Sequence, residues 1–168
     1  DRVAFVQGEA PPSVNPSLWR HALLNNHSGL FQVSDGIYQL RGFDLANMTL
    51  IEGRTGWIVV DPLTVRETAA AALAFAREQL GDKPVTAIIF THSHVDHFGG
   101  ALGVVSAEDA KRRQLPIVAP EGFLEEATSE NMLAGTTMGR RAGYMPGQHL
   151  AHARRGRLGT GLGHGPAS

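Results

Sequence analysis

The stretch from Thr91 to Gly100 reads THSHVDHFGG, and it follows directly after the apolar run Ala87-Ile88-Ile89-Phe90. Three imidazoles and one carboxylate therefore fall within six residues: His92, His94, Asp96 and His97. Neutral imidazole nitrogen and carboxylate oxygen are ligands that Zn²⁺ prefers, and burying such groups without a partner would be costly. We therefore predict a metal site with His92, His94, Asp96 and His97 as its ligands.

Convergence of these four side chains requires a turn. On an extended segment, His92 and His94 would point to one side and His97 to the other. The chain must therefore turn after His94. We expect Gly99 and Gly100 to supply the conformational freedom for this turn and for a close approach of the backbone to the metal.

The residues before the motif predict an α/β fold. Short β-favouring segments separated by glycine-containing turns predict an antiparallel meander of residues 30–33, 37–41, 48–52 and 57–60. A helix over 65–80 follows, with Thr64 and Glu67 forming a capping box, and then a buried apolar strand over 84–90. This strand, helix and strand predict a parallel crossover whose second strand ends at the histidine motif, where α/β sheets commonly bind ligands.

Asp61 ends the first strand of that crossover, directly before Pro62, so a strand-end turn is one interpretation of this residue.

The remaining chain divides into three predicted parts. Residues 1–28 form an irregular arm with a short helix near 17–24 that Ser17 caps. Residues 29–145 form the α/β domain that carries the motif, in which helices are expected over 101–113 and 121–133 and a strand over 115–119. Beyond Gly135 the pattern weakens, and 146–168 is expected to be a flexible segment rich in glycine and arginine.

Composition excludes several classes of protein. The 168 residues are 42% hydrophobic, enough for a core, and no apolar run approaches the roughly 18 residues needed to span a bilayer. The absence of cysteine excludes disulfides and thiolate ligands. The chain from Met138 onward carries five arginines and no acid, leaving −6 for residues 1–137. Because no aromatic residue is interleaved in the cluster from Arg154 to Arg157, we expect a solvated or partner-facing segment and no nucleic-acid partner.

The motif at His92, His94, Asp96 and His97 resembles that of the metallo-β-lactamase superfamily, and Asp61 matches the aspartate that ends an earlier strand in that superfamily. Longer segments resemble its linear (type III) alkylsulfatase branch, the enzymes that hydrolyse dodecyl sulfate and related esters. These segments are residues 14–20, 36–42, 47–53 and 129–142.

The resemblance implies the first half of an αβ/βα sandwich with two zinc ions. His92 and His94 would bind one ion and Asp96 and His97 the other, with Asp96 also catalytic and Asp61 orienting ligands or metal-bound water from outside the coordination sphere. It further implies hydrolysis of a small alkyl sulfate to alcohol and sulfate by metal-activated water, and a homodimer of the full-length protein. A bacterial periplasmic or secreted location is expected over the cytoplasm.

The resemblance also implies that two glutamates and a further histidine of the metal site lie beyond Ser168. We therefore expect this chain to be an amino-terminal portion with weak activity or none. An alternative is a thioesterase or lactonase in which His149, which has i,i+3 helical spacing to His152, completes the site; another is a non-catalytic binding module. Four glutamates are expected to be helix-surface charges: Glu121, Glu125, Glu126 and Glu130. Arg140 and Arg141 either face sulfate or, as we favour, form structural ion pairs.

Overall fold

The structure is a computed structural model that describes residues 4–144, 147 and 149–159. In chain order its elements are α1 (Pro16–Asn25), β1 (Gly29–Ser34), β2 (Ile37–Arg41), β3 (Met48–Glu52), β4 (Trp57–Val60), α2 (Arg66–Leu80), β5 (Val85–Ile89), α3 (Val95–Phe98), α4 (Ala101–Val104), α5 (Ala107–Arg113), β6 (Ile117–Val118), α6 (Phe123–Ser129), a π-helical segment (Glu130–Ala134) and α7 (Gly135–Tyr144). The predicted α/β class is confirmed.

One sheet carries the six strands in sequence order from β1 to β6. Strands β1 to β4 pair antiparallel as the predicted meander, whereas β4 pairs parallel with β5 and β5 parallel with β6. Helix α2 makes the predicted crossover between β4 and β5. The carboxyl ends of these two strands therefore lie side by side, and Asp61 follows the first strand as the histidine motif follows the second.

The core lies between the sheet and α2. Leu40, Met48, Leu50 and Val59 are fully buried on the strands, and α2 buries a stripe of small side chains with Leu73: Ala69, Ala72, Leu73 and Ala76. Burying one Leu or Val side chain stabilises a fold by about 1.5–3 kcal/mol. Gly103 lets α4 approach α2 closely, since a Cβ there would lie 2.1 Å from the Arg66 carbonyl oxygen and 3.0 Å from the Ala69 Cβ.

Two predicted helix caps are wrong. Helix α1 is capped by Asn15, whose Oδ1 accepts from the Ser17 N–H at 2.9 Å, because Pro16 already occupies the first helical position. Helix α2 begins after Val65 without a side-chain cap, and Thr64 instead donates to a buried carboxylate, Asp44.

Other differences lie in the second half of the chain. The predicted helix over 101–113 divides into α4 and α5, because Ser106 caps a new helix by accepting from the Asp109 N–H at 3.1 Å. Helix α7 occupies residues for which we predicted no element. Strand β5 is not covered on both faces within the described chain: Val85 and Ile88 are buried, and the other three residues are half-buried.

The arm forms a second, smaller apolar cluster, in which Val6, Trp19 and Ala22 pack with Leu158. The Ser13 hydroxyl also donates to the Arg154 carbonyl at 2.8 Å. The segment 146–168 was expected to be flexible, and within it Arg154 and Leu158 contact the arm. Residues 146, 148 and 160–168 of this segment lie outside the described residues. No helix in the described part of the chain is long and apolar enough to cross a membrane.

Candidate metal centre

The predicted turn after His94 is made by the start of helix α3. His94 keeps an extended backbone, with φ −72° and ψ 136°, and the chain becomes helical at Val95. The His97 N–H donates to the His94 carbonyl at 3.0 Å, which closes the first turn. This turn brings His97 back to His92, and their ring centroids lie 4.0 Å apart.

Asp61 is buried beneath the motif and contacts it at three points. Its Oδ1 accepts from the Thr91 N–H at 2.8 Å, and its Oδ2 accepts from the Thr91 hydroxyl at 2.6 Å and contacts His97 Nδ1 at 2.8 Å. Since an ionised carboxylate only accepts, His97 Nδ1 carries the proton and Nε2 is the nitrogen left for a metal. Asp61 is 8% exposed, and its left-handed φ of 52° turns the chain at the strand end.

Thr91 extends the influence of Asp61 to His92. The Thr91 hydroxyl lies 2.9 Å from His92 Nδ1. Because that hydroxyl has one proton and gives it to Asp61, it accepts from Nδ1–H of His92. His92 therefore presents Nε2 as its unprotonated nitrogen.

His94 is the most open of the three histidines, with 58% of its side chain exposed. Its Nδ1 lies 3.1 Å from His92 Nε2, and its Nε2 lies 3.6 Å from a Glu130 carboxylate oxygen. A distance of 3.6 Å is too long for a hydrogen bond, but the charge of Glu130 still favours a proton on Nε2 and leaves Nδ1 for a metal.

Glu130 was expected to be a helix-surface charge, and the structure places it at the site instead. It is the first residue of the π-helical segment, where the wider turn changes the direction of the side chains that follow α6. Such wide turns are frequent at functional sites, but the apolar periodicity of 121–133 gave no sign of one.

Asp96 lies beside His97. Its Oδ2 is 3.3 Å from His97 Nε2, the nitrogen that Asp61 leaves free. A strict cluster, in which one candidate ligand atom from each residue lies within 4.8 Å of the others, contains Asp61, His92 and His97. His94 and Asp96 adjoin this cluster through the two contacts just described, so the four predicted ligands and Asp61 form one group.

Gly99 and Gly100 act differently from our expectation. Both have negative φ angles, −60° and −83°, that any residue adopts. Their role is steric: a Cβ would lie 2.2 Å from the Thr64 carbonyl oxygen at Gly99 and 2.1 Å from the Pro62 carbonyl oxygen at Gly100. The backbone after the motif therefore packs directly against the loop that carries Asp61.

Three phenylalanines support the site from the apolar side. Phe90 follows β5, Phe98 ends α3 and Phe123 begins α6, and their ring centroids lie between 5.2 and 6.0 Å apart. Aromatic pairs at this separation attract one another beyond their area of burial. The cluster therefore fixes α3 and the start of α6 on the end of β5.

Other candidates lie elsewhere. His149 is exposed and His152 contacts the Arg157 guanidinium, and neither joins the metal cluster found among the described residues. Arg140 and Arg141 are exposed on α7, and Glu121, Glu125 and Glu126 are exposed as predicted. A cavity of about 540 Å³ between the arm and the C-terminal segment is lined by residues that include Leu18, Tyr144 and Arg154, none of which belongs to the cluster.

Comparison with known proteins identifies relatives along almost the whole chain. A linear primary-alkylsulfatase from Pseudomonas sp. is 54% identical over 158 residues, which are 94% of this chain and 23% of that protein. An alkyl/aryl-sulfatase from Saccharomyces cerevisiae is 45% identical over 160 residues, 95% of this chain and 25% of that protein. The chain thus spans about a quarter of the length of these relatives.

A solved structure agrees with the fold described above. The stereoselective inverting sec-alkylsulfatase from Pseudomonas sp. matches 99% of this chain and 26% of its own chain, with a TM-score of 0.92 and 45% sequence identity. Residues 41–167 match the family model of the metallo-beta-lactamase superfamily. The chain therefore belongs to the metallo-β-lactamase superfamily, and the relatives that it matches over most of its length are alkylsulfatases.

Proposed function

We propose that this chain belongs to a zinc-dependent hydrolase of alkyl sulfate esters, which releases an alcohol and inorganic sulfate. The observation that carries the metal part of the proposal is the pair of nitrogens His92 Nε2 and His94 Nδ1, 3.1 Å apart. The Thr91 hydroxyl keeps His92 Nε2 unprotonated, and the charge of Glu130 favours the His94 tautomer in which Nδ1 is also unprotonated, so these two nitrogens can bind one cation. In the metal-free chain the same distance suits a hydrogen bond from His94 Nδ1–H to His92 Nε2. The alkyl sulfate part rests on similarity to proteins named alkylsulfatases.

The donor set and its spacing fit zinc. Two ligand atoms of a tetrahedral Zn²⁺ ion, each about 2.0–2.1 Å from the metal, are about 3.3–3.4 Å apart. The pair His92 Nε2 and His94 Nδ1 at 3.1 Å and the pair His97 Nε2 and Asp96 Oδ2 at 3.3 Å are both close to this separation. We propose that the first pair holds one ion and the second pair the other.

When bound, two zinc ions would supply Lewis-acid chemistry and a water acidic enough to lose a proton near neutral pH. The chain's own residues prepare the site for this chemistry. Asp61 holds His97 directly and His92 through Thr91, so two ligand rings are fixed before metal enters. Asp96 supplies a carboxylate whose side chain is 23% exposed, so it lies between the buried support and the open side of the site.

Charge explains why the anionic substrate and the metals must act together. Asp61, Asp96 and Glu130 place carboxylates around the cluster, and residues 1–137 carry a net charge of −6. Such a surface repels an alkyl sulfate anion until cations offset the carboxylates. The exposed side of His94 gives the direction from which a substrate head group reaches the site.

We assign turnover to a polypeptide of the relatives' length, acting as a homodimer, and expect metal binding without substantial turnover from these 168 residues. Zinc titration of the chain, followed by calorimetry and by the visible spectrum of the Co²⁺ form, tests the metal site. We expect binding that His92→Ala weakens at least tenfold, while His21→Ala, on the arm, binds as the unmodified chain does. Equal zinc affinity of the chain and of His92→Ala would contradict the proposal.

The substrate class is tested on a polypeptide of the relatives' length that contains this chain. Sulfate release from dodecyl sulfate is measured beside hydrolysis of a thioester and a lactone. We expect sulfate release that a chelator abolishes and zinc restores. Hydrolysis of the thioester or lactone without sulfate release would replace the alkylsulfatase proposal by the thioesterase or lactonase alternative.

A further inference from the structure

Asp44 is a buried carboxylate in the loop between β2 and β3, and it lies outside the metal cluster. Its side chain is 1% exposed. It accepts hydrogen bonds from the Leu45 N–H at 2.6 Å, the Thr64 N–H at 3.1 Å, the Thr64 hydroxyl at 2.9 Å and the Thr68 hydroxyl at 2.7 Å. Burying a carboxylate this deeply is costly unless both of its oxygens accept hydrogen bonds, and here each oxygen accepts two.

Three of these four hydrogen bonds come from Thr64 and Thr68, which lie on the segment that leads away from Asp61. We call residues 61–65 the Asp61 loop. Its backbone is strained, because Asp61 and Leu63 have φ angles of 52° and 66°, in the left-handed region that bulky residues avoid. Strain of this kind persists only where the surrounding structure enforces it. Asp44 enforces it by binding both the N–H and the hydroxyl of Thr64, the residue after Leu63.

The Asp61 loop contacts the metal centre at both of its ends. At one end Asp61 holds Thr91 and His97. At the other end, the Leu63 carbonyl accepts from the Gly100 N–H at 2.8 Å, directly after the motif. A shift of the loop therefore moves the support of the ligand rings and the end of α3 together.

We propose that Asp44 is a positioning residue of the metal centre, which acts through the Asp61 loop. The proposal rests on the proposed function only in that the centre binds zinc. Asp44→Asn is the direct test, because the amide keeps the volume but replaces one acceptor oxygen by a donor. Whichever oxygen becomes the NH₂ group, one backbone N–H loses its acceptor: that of Leu45 at Oδ1 or that of Thr64 at Oδ2. The anchor of the loop is thereby weakened.

Two measurements separate positioning from a purely structural role. The first is zinc affinity in a double-mutant cycle: we expect Asp44→Asn to weaken zinc about tenfold, a loss typical for groups that orient metal ligands, and to cause no further loss in the Asp61→Asn background. The second is the ¹⁵N spectrum of the His97 ring in the metal-free chain, where the unmodified protein has its proton on Nδ1. We expect Asp44→Asn to populate both tautomers.

Ser106→Ala is the matched control, since it removes the cap of α5 and lowers stability away from the Asp61 loop. It should leave zinc affinity and the His97 spectrum unchanged. If Asp44→Asn does not fold, Thr64→Val removes one donor to the same carboxylate, and Thr64→Ser restores it. We expect a smaller loss of zinc affinity for Val and recovery for Ser.

The two proposals fail in different ways. If the unmodified chain binds no zinc, the proposed metal function fails, and the His97 spectrum alone decides the role of Asp44. If the chain binds zinc and Asp44→Asn retains both its affinity and the single tautomer, Asp44 is not a positioning residue. The inference would also be overturned if Asp44→Asn lowered zinc affinity equally in the unmodified chain and in Asp61→Asn, because Asp44 would then not act through Asp61.

Discussion

Replacing Gly100 by alanine tests the contact between the metal motif and the Asp61 loop. Gly100 has φ −83° and ψ 5°, which alanine adopts without strain, so the consequence of the substitution is steric. The added Cβ would lie 2.1 Å from the Pro62 carbonyl oxygen, 2.8 Å from the Val65 carbonyl oxygen and 2.8 Å from the Ala69 Cβ. None of these atoms is the far end of a flexible side chain, so the backbone itself must move.

The expected magnitude follows from two opposing terms. Overpacking a well-packed site costs about 1–3 kcal/mol, and replacing glycine by alanine gains about 0.4–1 kcal/mol through the unfolded state. Because two of the three contacts are to backbone oxygens, we expect the cost near the upper end of its range and a net loss of about 2 kcal/mol. The displaced Pro62 also moves Asp61, so zinc affinity should fall together with stability.

Gly139→Ala is the matched control for this experiment. Gly139 lies within α7, and a Cβ there would meet nothing within 4 Å. We expect this variant to gain about 0.5–1 kcal/mol, since alanine favours the helix, and to bind zinc unchanged. Urea unfolding followed by circular dichroism measures both free energies. A Gly100→Ala chain as stable as the unmodified one would refute the close packing of the motif against the loop.

Three further predictions concern single groups. Glu130→Gln should weaken zinc binding severalfold, because the charge that favours a proton on His94 Nε2 is lost. Calorimetry measures this affinity, and an unchanged value would show that Glu130 is a surface charge without a role at the site. The Arg112 guanidinium hydrogen-bonds Asp109 and holds the pKa of that carboxyl below its usual 3.8. The ion pair therefore stabilises the folded chain above the unfolded-state pKa of Asp109, and this stabilisation is lost as pH falls through the lower folded-state pKa. Arg112→Ala should raise the Asp109 pKa in an NMR titration, and a pKa that stays low would show another cause. His149→Ala should leave the zinc stoichiometry unchanged, whereas loss of one bound ion would support the compact-site alternative.

The first half of the fold follows closely from local sequence. Strands 37–41, 48–52 and 57–60 were predicted to the residue, because β-favouring runs alternate there with glycine-containing turns. The crossover helix and the position of the motif at the end of β5 were also predicted. These features depend on sequence patterns within short windows, and tertiary packing favours the same local structures.

Helix α7 shows where local patterns fail. Its sequence includes Gly135, Gly139 and two threonines, which are poor helix formers, so propensity predicted no helix. The π-helical segment continues α6 directly into α7, so no new nucleus has to form. The same segment places Glu130 near His94, which a period of 3.6 residues could not reveal.

Asp44 and Gly100 were missed or misread for a related reason. Apart from the adjacent Leu45 N–H, the donors to Asp44 lie 20 and 24 residues away in Thr64 and Thr68, so the sequence near Asp44 does not indicate its role. Gly100 was correctly associated with the motif, but the cause is a carbonyl oxygen 38 residues earlier in Pro62 rather than conformational freedom. The four predicted ligands lie in one short segment, whereas the groups that support them come from distant segments.

The parallel pairing of β4 and β5 limits how far the motif can be transplanted. A synthetic peptide of residues 91–100 would contain the four ligands predicted from this chain, but it would lack Asp61, which reaches Thr91 and His97 from the neighbouring strand. Its imidazoles would exchange freely between tautomers. Grafting this motif onto another scaffold therefore requires both parallel strands and the crossover helix between them. The aspartate at the end of the first strand must also face the histidines.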